Sequence, residues 1–294
     1  MRFSNEQVQK ALAAVNPGWE LIAAQQLSPR VAKLEILGDH GRPHRLILLG
    51  HSDRDRQGNP DIARDEFRLL KILSSARLAV PRPLLVGASL EIPFLITEFV
   101  EGATRFAPSD LPAFCYQLAD ILSDIHQFGI EQHDLSFLPS QREAIAENMR
   151  EATEDAYGMR AAICATLPRL QFNDAVLLHG DFWLGNLLWR GDQLAAIIDW
   201  EDAMLGDPLG DLGKSRLEML WALGKTAMDL YSAGYGARNP ELDYRCLPFW
   251  DLWGALRLAH FANWSSEGDK IARMRAQYEC FVTKAIAALE TLQE

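Results

Sequence analysis

The sequence predicts an α+β protein with two lobes: a small antiparallel five-stranded sheet and a larger, mainly helical region. Strand-like runs dominate the first third of the chain, and helical periodicity dominates the rest. We therefore predict an N-terminal domain at residues 1–99 and a C-terminal domain at residues 100–294. A chain of 294 residues is long enough to give both a core.

The first lobe begins with an amphipathic helix. Ser4–Val15 has the apolar spacing of a helix, and Ser4 with Gln7 predicts a capping box. A second helix is predicted over Asp61–Leu78 from its apolar spacing. The five strands of the sheet are predicted at Glu20–Leu27, Val31–Leu37, Arg45–Leu49, Leu84–Gly87 and Phe94–Val100.

Apolar residues repeat at three- and four-residue intervals through most of the second lobe. This period is typical of helices that cover a core. The predicted helices are Leu111–Ile125, Ser140–Tyr157, Met159–Leu167, Pro208–Leu223, Thr226–Tyr235, Leu242–Trp264 and Asp269–Leu292. Aromatic residues at helical spacing are more often core than ligand contacts, and this applies to Trp221, Trp250, Trp253, Phe261 and Trp264.

Composition limits the class of protein. Apolar residues make up 48% and charged residues 23%, as in soluble globular proteins. No apolar run has the length of a membrane span, and the N-terminus lacks the apolar stretch of a secretory signal. The four cysteines have no paired spacing. We expect a cytoplasmic protein with no membrane partner and make no prediction of its oligomeric state.

Charge is distributed unevenly along the chain. Residues 1–99 contain 13 Lys/Arg and 11 Asp/Glu, a net charge of +2, whereas residues 100–294 contain 16 and 29, a net charge of −13. The overall −11 argues against a nucleic-acid partner. The asymmetry fits a nucleotide held by the first lobe and a cationic acceptor drawn to the second. Surface acids that keep the protein soluble explain it equally well.

The stretch from residue 176 to 214 has the residues of a phosphoryl-transfer site. Two short apolar runs, Val176–Leu178 and Leu194–Ile198, each precede an acid, Asp181 and Asp199 respectively. Buried strands of this kind deliver carboxylates to a cleft edge. Asn186 follows Asp181 by five residues. One acid for a hydroxyl proton, with an amide and a second acid for Mg²⁺, is the minimum for this chemistry.

Three motifs in this order resemble the aminoglycoside phosphotransferase and choline kinase-like family of small-molecule kinases. The motifs are His179-Gly180-Asp181-(four residues)-Asn186, Ile198-Asp199-Trp200-Glu201 and Gly206-Asp207-Pro208-(two residues)-Asp211. The resemblance implies a protein-kinase-like bilobal fold. It also implies Mg²⁺-dependent transfer of the γ-phosphoryl group of ATP or GTP to a hydroxyl of a small-molecule acceptor. The acidic second lobe favours an amine-bearing acceptor.

The resemblance also implies roles for individual residues. Asp181 is the expected catalytic base, with His179 shaping its loop, and Asn186 and Asp199 are the expected metal ligands. Asp207 and Asp211 are expected to support the catalytic loop. The residues expected to contact the nucleotide are Lys33, Glu66, Glu98, Phe99 and Val100. The sequence neighbours of the two key acids are predicted to bind the acceptor, namely Trp183, Trp200, Glu201 and Asp202.

The first lobe departs from the family pattern. The loop between the first two strands, residues 27–31, has no glycine, and Leu49 stands where a phosphate-binding Lys or Arg is expected. Glu66 therefore lacks its usual cationic partner. Three interpretations follow: a shifted alignment brings Arg45 or His51 to the cleft, Lys33 on the neighbouring strand supplies the charge, or nucleotide binding is weak.

A catalytically silent ligand-binding or regulatory protein is the alternative to an enzyme. The residues expected for the base and the metal ligands are all present, and a chain without catalysis has no chemical need of them. The sequence therefore favours an active enzyme. A protein kinase is disfavoured, because the His-Arg-Asp and Asp-Phe-Gly motifs are missing.

Overall fold

The computed structural model describes residues 4–76, 78–87, 92–150, 155 and 157–291. The chain forms two compact units. The first contains Met1–Thr104 and Leu187–Glu201, and the second contains Arg105–Asn186 and Asp202–Glu294. The predicted domain limits, 1–99 and 100–294, stay a prediction. No helix within the described ranges has the length and apolar character needed to cross a membrane.

Strands and helices are interspersed along the described residues, with five strands before α4 and four between α6 and α7. The strands are β1 (Glu20–Gln26), β2 (Val31–Leu37), β3 (Pro43–Gly50), β4 (Pro83–Gly87), β5 (Phe94–Glu98), β6 (Val176–Leu178), β7 (Leu187–Arg190), β8 (Gln193–Ile197) and β9 (Met204–Gly206). The α-helices are α1 (Asn5–Val15), α2 (Asp53–Gly58), α3 (Ile62–Ser75), α4 (Leu111–His126), α5 (Gln141–Arg150), α6 (Met159–Thr166), α7 (Leu209–Leu223), α8 (Lys225–Arg238), α9 (Leu247–Arg257) and α10 (Gly268–Thr291).

The first unit contains the predicted antiparallel five-stranded sheet, in the order β1-β2-β3-β5-β4. The predicted fold class is confirmed. Helix α1 begins with the expected capping box, because the Gln7 N–H donates to Ser4 Oγ and the Ser4 N–H donates to Gln7 Oε1. The β7–β8 hairpin, which the sequence did not predict in full, also belongs to this unit.

One face of this sheet packs against the core, and the other lines a cavity. Side chains alternate along a strand, so Leu34 and Ile36 lie in the core with Leu48, while Val31 and Lys33 point to the opposite face. The antiparallel register pairs Val31 with Leu49 and Lys33 with Ile47 on that second face. That face forms one wall of a cavity.

The second unit is built from helices that pack around α7. Helix α4 packs on α8, and α7 packs on α9. The approach of α7 to α9 depends on Gly213, because a Cβ there would lie 2.5 Å from the backbone carbonyl oxygen of Trp250. This close crossing fixes the position of Lys214, the next residue on α7.

Two helices of the second unit are shorter than the sequence predicts. The single helix predicted over Leu242–Trp264 is wrong: α9 spans only Leu247–Arg257, and 3₁₀ turns flank it. Pro248 lacks an N–H and restricts the backbone before it, so it is tolerated only in the first turn of a helix. The predicted Ser140–Tyr157 helix corresponds to α5, and residues 151–154 and 156 lie outside the described residues.

Candidate active site

Asp211 holds the loop that follows β6. Its two carboxylate oxygens accept hydrogen bonds from the backbone N–H groups of His179 (2.7 Å) and Gly180 (2.9 Å). Asp211 is buried in the first turn of α7, where a carboxylate is stabilised by the helix dipole. The loop conformation that presents Asp181 is thus set by an acid 30 residues further along the chain.

His126 completes the support of Asp211. Its Nε2 lies 3.3 Å from Asp211 Oδ2, and its Nδ1 lies 2.6 Å from the Tyr235 hydroxyl. Burial alone would raise the pKa of Asp211, but His126 and the neighbouring His179 lower it below its ordinary value. Asp211 is therefore an ionised acceptor at neutral pH. His126 is thus a buried histidine at the end of α4 with a partner at each ring nitrogen.

Gly180 and Arg257 fix the other side of the same loop. Gly180 has a φ of 79°, and a Cβ there would lie 2.0 Å from the carbonyl oxygen of Asp202, so no other residue fits. The Arg257 guanidinium donates to the Gly180 carbonyl oxygen (2.9 Å) and to Asp202 Oδ2 (2.8 Å). Arg257 therefore links the loop that contains Gly180 to Asp202.

The Asp181 carboxylate contacts two polar side chains. Its Oδ2 accepts a hydrogen bond of 2.9 Å from Asn186 Nδ2, which also donates to the Asp181 carbonyl oxygen. Its Oδ1 is ion-paired with the Lys214 ammonium. Burial would raise the pKa of Asp181, but the charge and hydrogen bond of Lys214 lower it below the ordinary value. The carboxylate is therefore ionised at neutral pH.

A cavity of about 720 Å³ in the second unit opens beside Asp181, and we call it the aromatic cavity. Its wall includes the predicted acceptor residue Trp183. The residues that line it are Phe106, Asp181, Trp183, Glu218, Trp221, Ala222, Leu258, Trp264, Ser265, Lys270, Arg273 and Met274. Its volume suits a drug-sized molecule rather than a single ion.

A second cavity, of about 420 Å³, lies within the first unit, and we call it the sheet cavity. Its walls come from β2, β3, β5 and the β7–β8 hairpin. The predicted nucleotide contacts Glu66, Glu98, Phe99 and Val100 line it, as does Asp199. Lys33 is not among the lining residues; its ammonium lies 5.2 Å from the centre of the Phe99 ring.

Asp199 has a backbone conformation that non-glycine residues seldom adopt. Its φ is 67°, in the left-handed region. Such conformations cost free energy and occur mainly where a site requires a particular side-chain direction. The positive φ turns the chain directly after β8 and brings the Asp199 side chain to the wall of the sheet cavity.

The expectation that Glu66 lacks a cationic partner is wrong. His51 follows the last residue of β3, is fully buried, and has its Nε2 3.3 Å from Glu66 Oε2 and its Nδ1 3.4 Å from Glu201 Oε2. Burial would lower the pKa of His51, but the two carboxylates outweigh it and raise the pKa to about 9. A protonated histidine two positions beyond Leu49 is thus the cationic partner of Glu66, although His51 is not among the residues that line the sheet cavity.

Arg30 extends this cluster to the cavity wall. Its guanidinium donates two hydrogen bonds of 2.9 Å to the Glu201 carboxylate, the bidentate geometry that arginine makes best. Arg30 belongs to the glycine-free β1–β2 loop and lines the sheet cavity. Among the described lining residues it is the one Lys or Arg. We call Arg30, His51, Glu66 and Glu201 the charge cluster.

Three of the predicted acceptor residues have other contacts. Trp200 is buried in the first unit, where its Nε1 donates to the Ile197 carbonyl oxygen. Glu201 belongs to the charge cluster, and Asp202 pairs with Arg257. None of the three lines the aromatic cavity. Their role in acceptor binding stays a prediction.

Asp207 supports the backbone between β9 and α7. Its carboxylate accepts hydrogen bonds from the N–H groups of Asn173 (2.8 Å) and Leu209 (2.9 Å), and its own N–H donates to Gln141 Oε1. Burial raises the pKa of Asp207 above its ordinary value. These contacts link three separate segments of the second unit.

Several residues at these sites were not singled out by the sequence analysis. Arg30, Lys214, Glu218 and Arg257 have no motif of their own, and Lys270 and Arg273 lie on an ordinary amphipathic helix. Lys214 offered one signal, because it lies three residues after Asp211 on the same helix and so points to the same side.

The chain has a kinase-like fold, and comparison with known proteins identifies its family. The phosphotransferase enzyme family matches residues 45–250, more than two thirds of the chain. The chain belongs to this family.

Solved structures of small-molecule phosphotransferases have a similar fold. Aminoglycoside phosphotransferase APH(4)-Ia, in a ternary complex with AMP-PNP and hygromycin B, aligns with a TM-score of 0.65 and 20% identity over 94% of this chain and 97% of that one. Macrolide 2'-phosphotransferase MphH from Brachybacterium faecium aligns with a TM-score of 0.62 and 16% identity over 94% and 98%.

Curated relatives are much longer than this chain. Acyl-CoA dehydrogenase family member 11 of Rattus norvegicus is 27% identical over 182 residues, which is 53% of this chain and 23% of that protein. Family member 10 of Mus musculus is 27% identical over 176 residues, which is 52% and 16%. The chain therefore spans less than a quarter of the length of these relatives.

Proposed function

We propose that this protein transfers the γ-phosphoryl group of ATP or GTP to a hydroxyl group of a small molecule, with Mg²⁺. The observation that carries the proposal is the position of Asp181, ionised, hydrogen-bonded to Asn186 and exposed to a cavity of about 720 Å³. The likeness in fold to a phosphotransferase bound to AMP-PNP and hygromycin B supports a nucleotide donor and a small-molecule acceptor.

Asp181 orients the acceptor and takes its proton. The acceptor oxygen bonds to the γ-phosphorus while the bond from that phosphorus to the β–γ bridging oxygen breaks, and the hydroxyl proton passes to the Asp181 carboxylate. Because Lys214 lowers the pKa of Asp181, the proton moves late in the reaction, when the acceptor oxygen has become more acidic. Lys214 then releases the carboxylate as its charge is neutralised.

The residues present fit Mg²⁺. Asn186 and Asp199 would hold the metal through an amide and a carboxylate oxygen, the hard ligands that Mg²⁺ prefers. When bound, the metal neutralises charge on the phosphate oxygens.

The sheet cavity is the proposed nucleotide site. Its walls are mostly apolar, with Ile47, Leu49 and Leu95 on the sheet and Phe99 and Val100 on the chain after β5. Apolar walls of this kind enclose a planar base, and backbone groups of the segment after β5 provide its polar contacts. Arg30 replaces the missing strand cation at the cavity wall.

Replacing Arg30 with alanine is expected to raise the KM for ATP about tenfold with a smaller effect on kcat, because one cation–phosphate interaction is lost. Arg30→Lys keeps the charge but not the two-point contact with Glu201. Its KM for ATP is expected to lie between those of the unmodified protein and Arg30→Ala. Steady-state kinetics with saturating acceptor measure both constants. An unchanged KM for ATP in Arg30→Ala would show that the Arg30 guanidinium does not contact the nucleotide phosphates.

The reaction is tested by ADP and GDP release with Mg²⁺ against a panel of amino-alcohols, aminoglycosides, macrolides, sugars and hydroxy acids. We expect turnover with one class of acceptor, a loss of at least about 100-fold in Asp199→Ala, and no change in the exposed control Asp174→Ala. Turnover that survives in Asp199→Ala contradicts the proposed metal ligand.

A catalytically silent binding protein is the second candidate, favoured by Leu49 in the cavity wall and by the glycine-free loop. Thermal shift with Mg²⁺ and ATP, run beside the panel, separates the two. Nucleotide binding without ADP or GDP release in the presence of any acceptor supports the silent protein. ADP or GDP release with an acceptor excludes it.

A further inference from the structure

The aromatic cavity has walls built to contact a bulky apolar group. Trp221 and Trp264 pack edge-to-face with their ring centres 5.7 Å apart. The ring centres of Phe106 and Trp183 are 6.0 Å apart. The Trp221 Nε1 donates to the Met274 carbonyl oxygen, so the polar end of this indole is already bonded. Trp264 is 54% exposed and Phe106 46% exposed. Large aromatic side chains left exposed around a cavity indicate a ligand surface.

Two cations stand on one face of α10 at the same cavity. Lys270 and Arg273 are exposed, line the cavity, and lie three residues apart with Met274 beside them. Within the described chain neither forms an ion pair. Glu267 and Asp269 are close in sequence but do not line the cavity.

The two carboxyl groups on the cavity wall do not offset these cations. Asp181 is paired with Lys214. Burial raises the pKa of Glu218 to about 8, so this group is mainly protonated at neutral pH. Among the described lining residues there is no other acid. The cavity is therefore positive in a protein that is acidic as a whole, and a polycationic acceptor would meet like charge.

We propose that the acceptor is an alcohol with an aromatic or similarly bulky apolar body and a carboxylate, with the carboxylate at Lys270 and Arg273 and the hydroxyl at Asp181. The proposal rests on the phosphoryl transfer proposed above. It replaces the amine-bearing acceptor that the net charge of residues 100–294 favoured, because local charge at the cavity differs from the charge of the lobe.

Three probes that share a phenyl group and a hydroxymethyl group on one carbon, and differ in the third substituent of that carbon, test the proposal: tropate, 2-phenylpropane-1,3-diol and 3-amino-2-phenylpropan-1-ol. They carry a carboxylate, a neutral hydroxymethyl and an ammonium group, respectively. Tryptophan fluorescence follows binding, since three indoles line the cavity. We expect tropate to bind on the order of tenfold more tightly than the amine, with the diol between them.

Charge reversal on α10 supplies the matched variants. Lys270→Glu and Arg273→Glu are each expected to remove the preference for tropate, while Lys284→Glu, an exposed lysine on the same helix outside the cavity, is expected to leave it unchanged. Equal or tighter binding of the amine to the unmodified protein overturns the proposal, as does a preference that survives both reversals or the absence of binding by all three probes.

The same probes separate this inference from the proposed reaction. Fluorescence does not require turnover, so a wrong charge preference counts against this class of acceptor alone. ADP release with tropate that is lost in Asp181→Asn supports both the phosphoryl transfer and this class of acceptor. A correct charge preference with no ADP release from tropate, in protein that binds Mg²⁺ and ATP, counts against phosphoryl transfer to this class.

Discussion

Replacing Asp181 with asparagine is expected to lower kcat by about 10²–10⁴-fold, the usual contribution of a positioned general base. Asparagine keeps the size of the side chain and an oxygen that can accept the Asn186 hydrogen bond of 2.9 Å. It cannot accept the acceptor proton at neutral pH. Because the substitution removes proton acceptance and leaves the cavity wall intact, KM for the acceptor is expected to change much less than kcat. ADP release at saturating substrates measures the effect.

Asp181→Asn removes the ion pair with Lys214, so loss of activity must be distinguished from loss of the fold. Asp181→Asn leaves the Lys214 ammonium with the Glu218 carboxyl group, 3.8 Å away, so the fold must be checked by circular dichroism and thermal unfolding. Asp174→Asn, at an exposed position, provides the matched substitution and is expected to retain activity. A folded Asp181→Asn protein that retains more than about a tenth of kcat would show that Asp181 is not the base.

Local patterns were sufficient to predict the sheet and the residues of the catalytic loop. The alternation of apolar residues predicted Val31–Leu37 to the residue, and the run before His179 matches β6. The interval between Asp181 and Asn186 allows a short turn to fold the amide back onto the carboxylate, which the hydrogen bond between them shows. Contacts of this kind depend on nearby residues, so a sequence displays them directly.

The charge cluster and the aromatic cavity could not be predicted, because their residues meet only after distant segments pack. His51 and Glu201 are 150 residues apart, and the β7–β8 hairpin belongs to the first unit although it follows much of the second in the chain. The average charge of a lobe similarly hid the local charge at Lys270 and Arg273. Net charge reports on solubility and long-range attraction, whereas a binding site depends on the few groups at its wall.

Replacing His51 with leucine is expected to destabilise the protein by about 3–5 kcal/mol, because it leaves buried carboxylates without their cation. Glu66 is 4% exposed, and it would have to be protonated or hydrated in the variant. His51→Lys restores a cation and is expected to recover part of the loss. Urea unfolding at neutral pH measures the free energies, with the exposed His260→Leu as a control expected to stay within about 0.5 kcal/mol.

The pH dependence of the His51 effect tests its cause. The pKa of His51 is raised from 6.5 to about 9 in the folded protein, so the folded state binds the proton more tightly than the unfolded state. The stabilisation is fully present below about pH 6.5 and is lost as the pH rises through about 9. The difference in unfolding free energy between the unmodified protein and His51→Leu is therefore expected to be largest below about pH 6.5, to shrink as the pH rises from 6.5 to 9, and to be smallest above pH 9. A difference that grows between pH 6.5 and 9 would mean that His51 is neutral in the fold, and that the carboxylates of Glu66 and Glu201 are balanced by Arg30 instead.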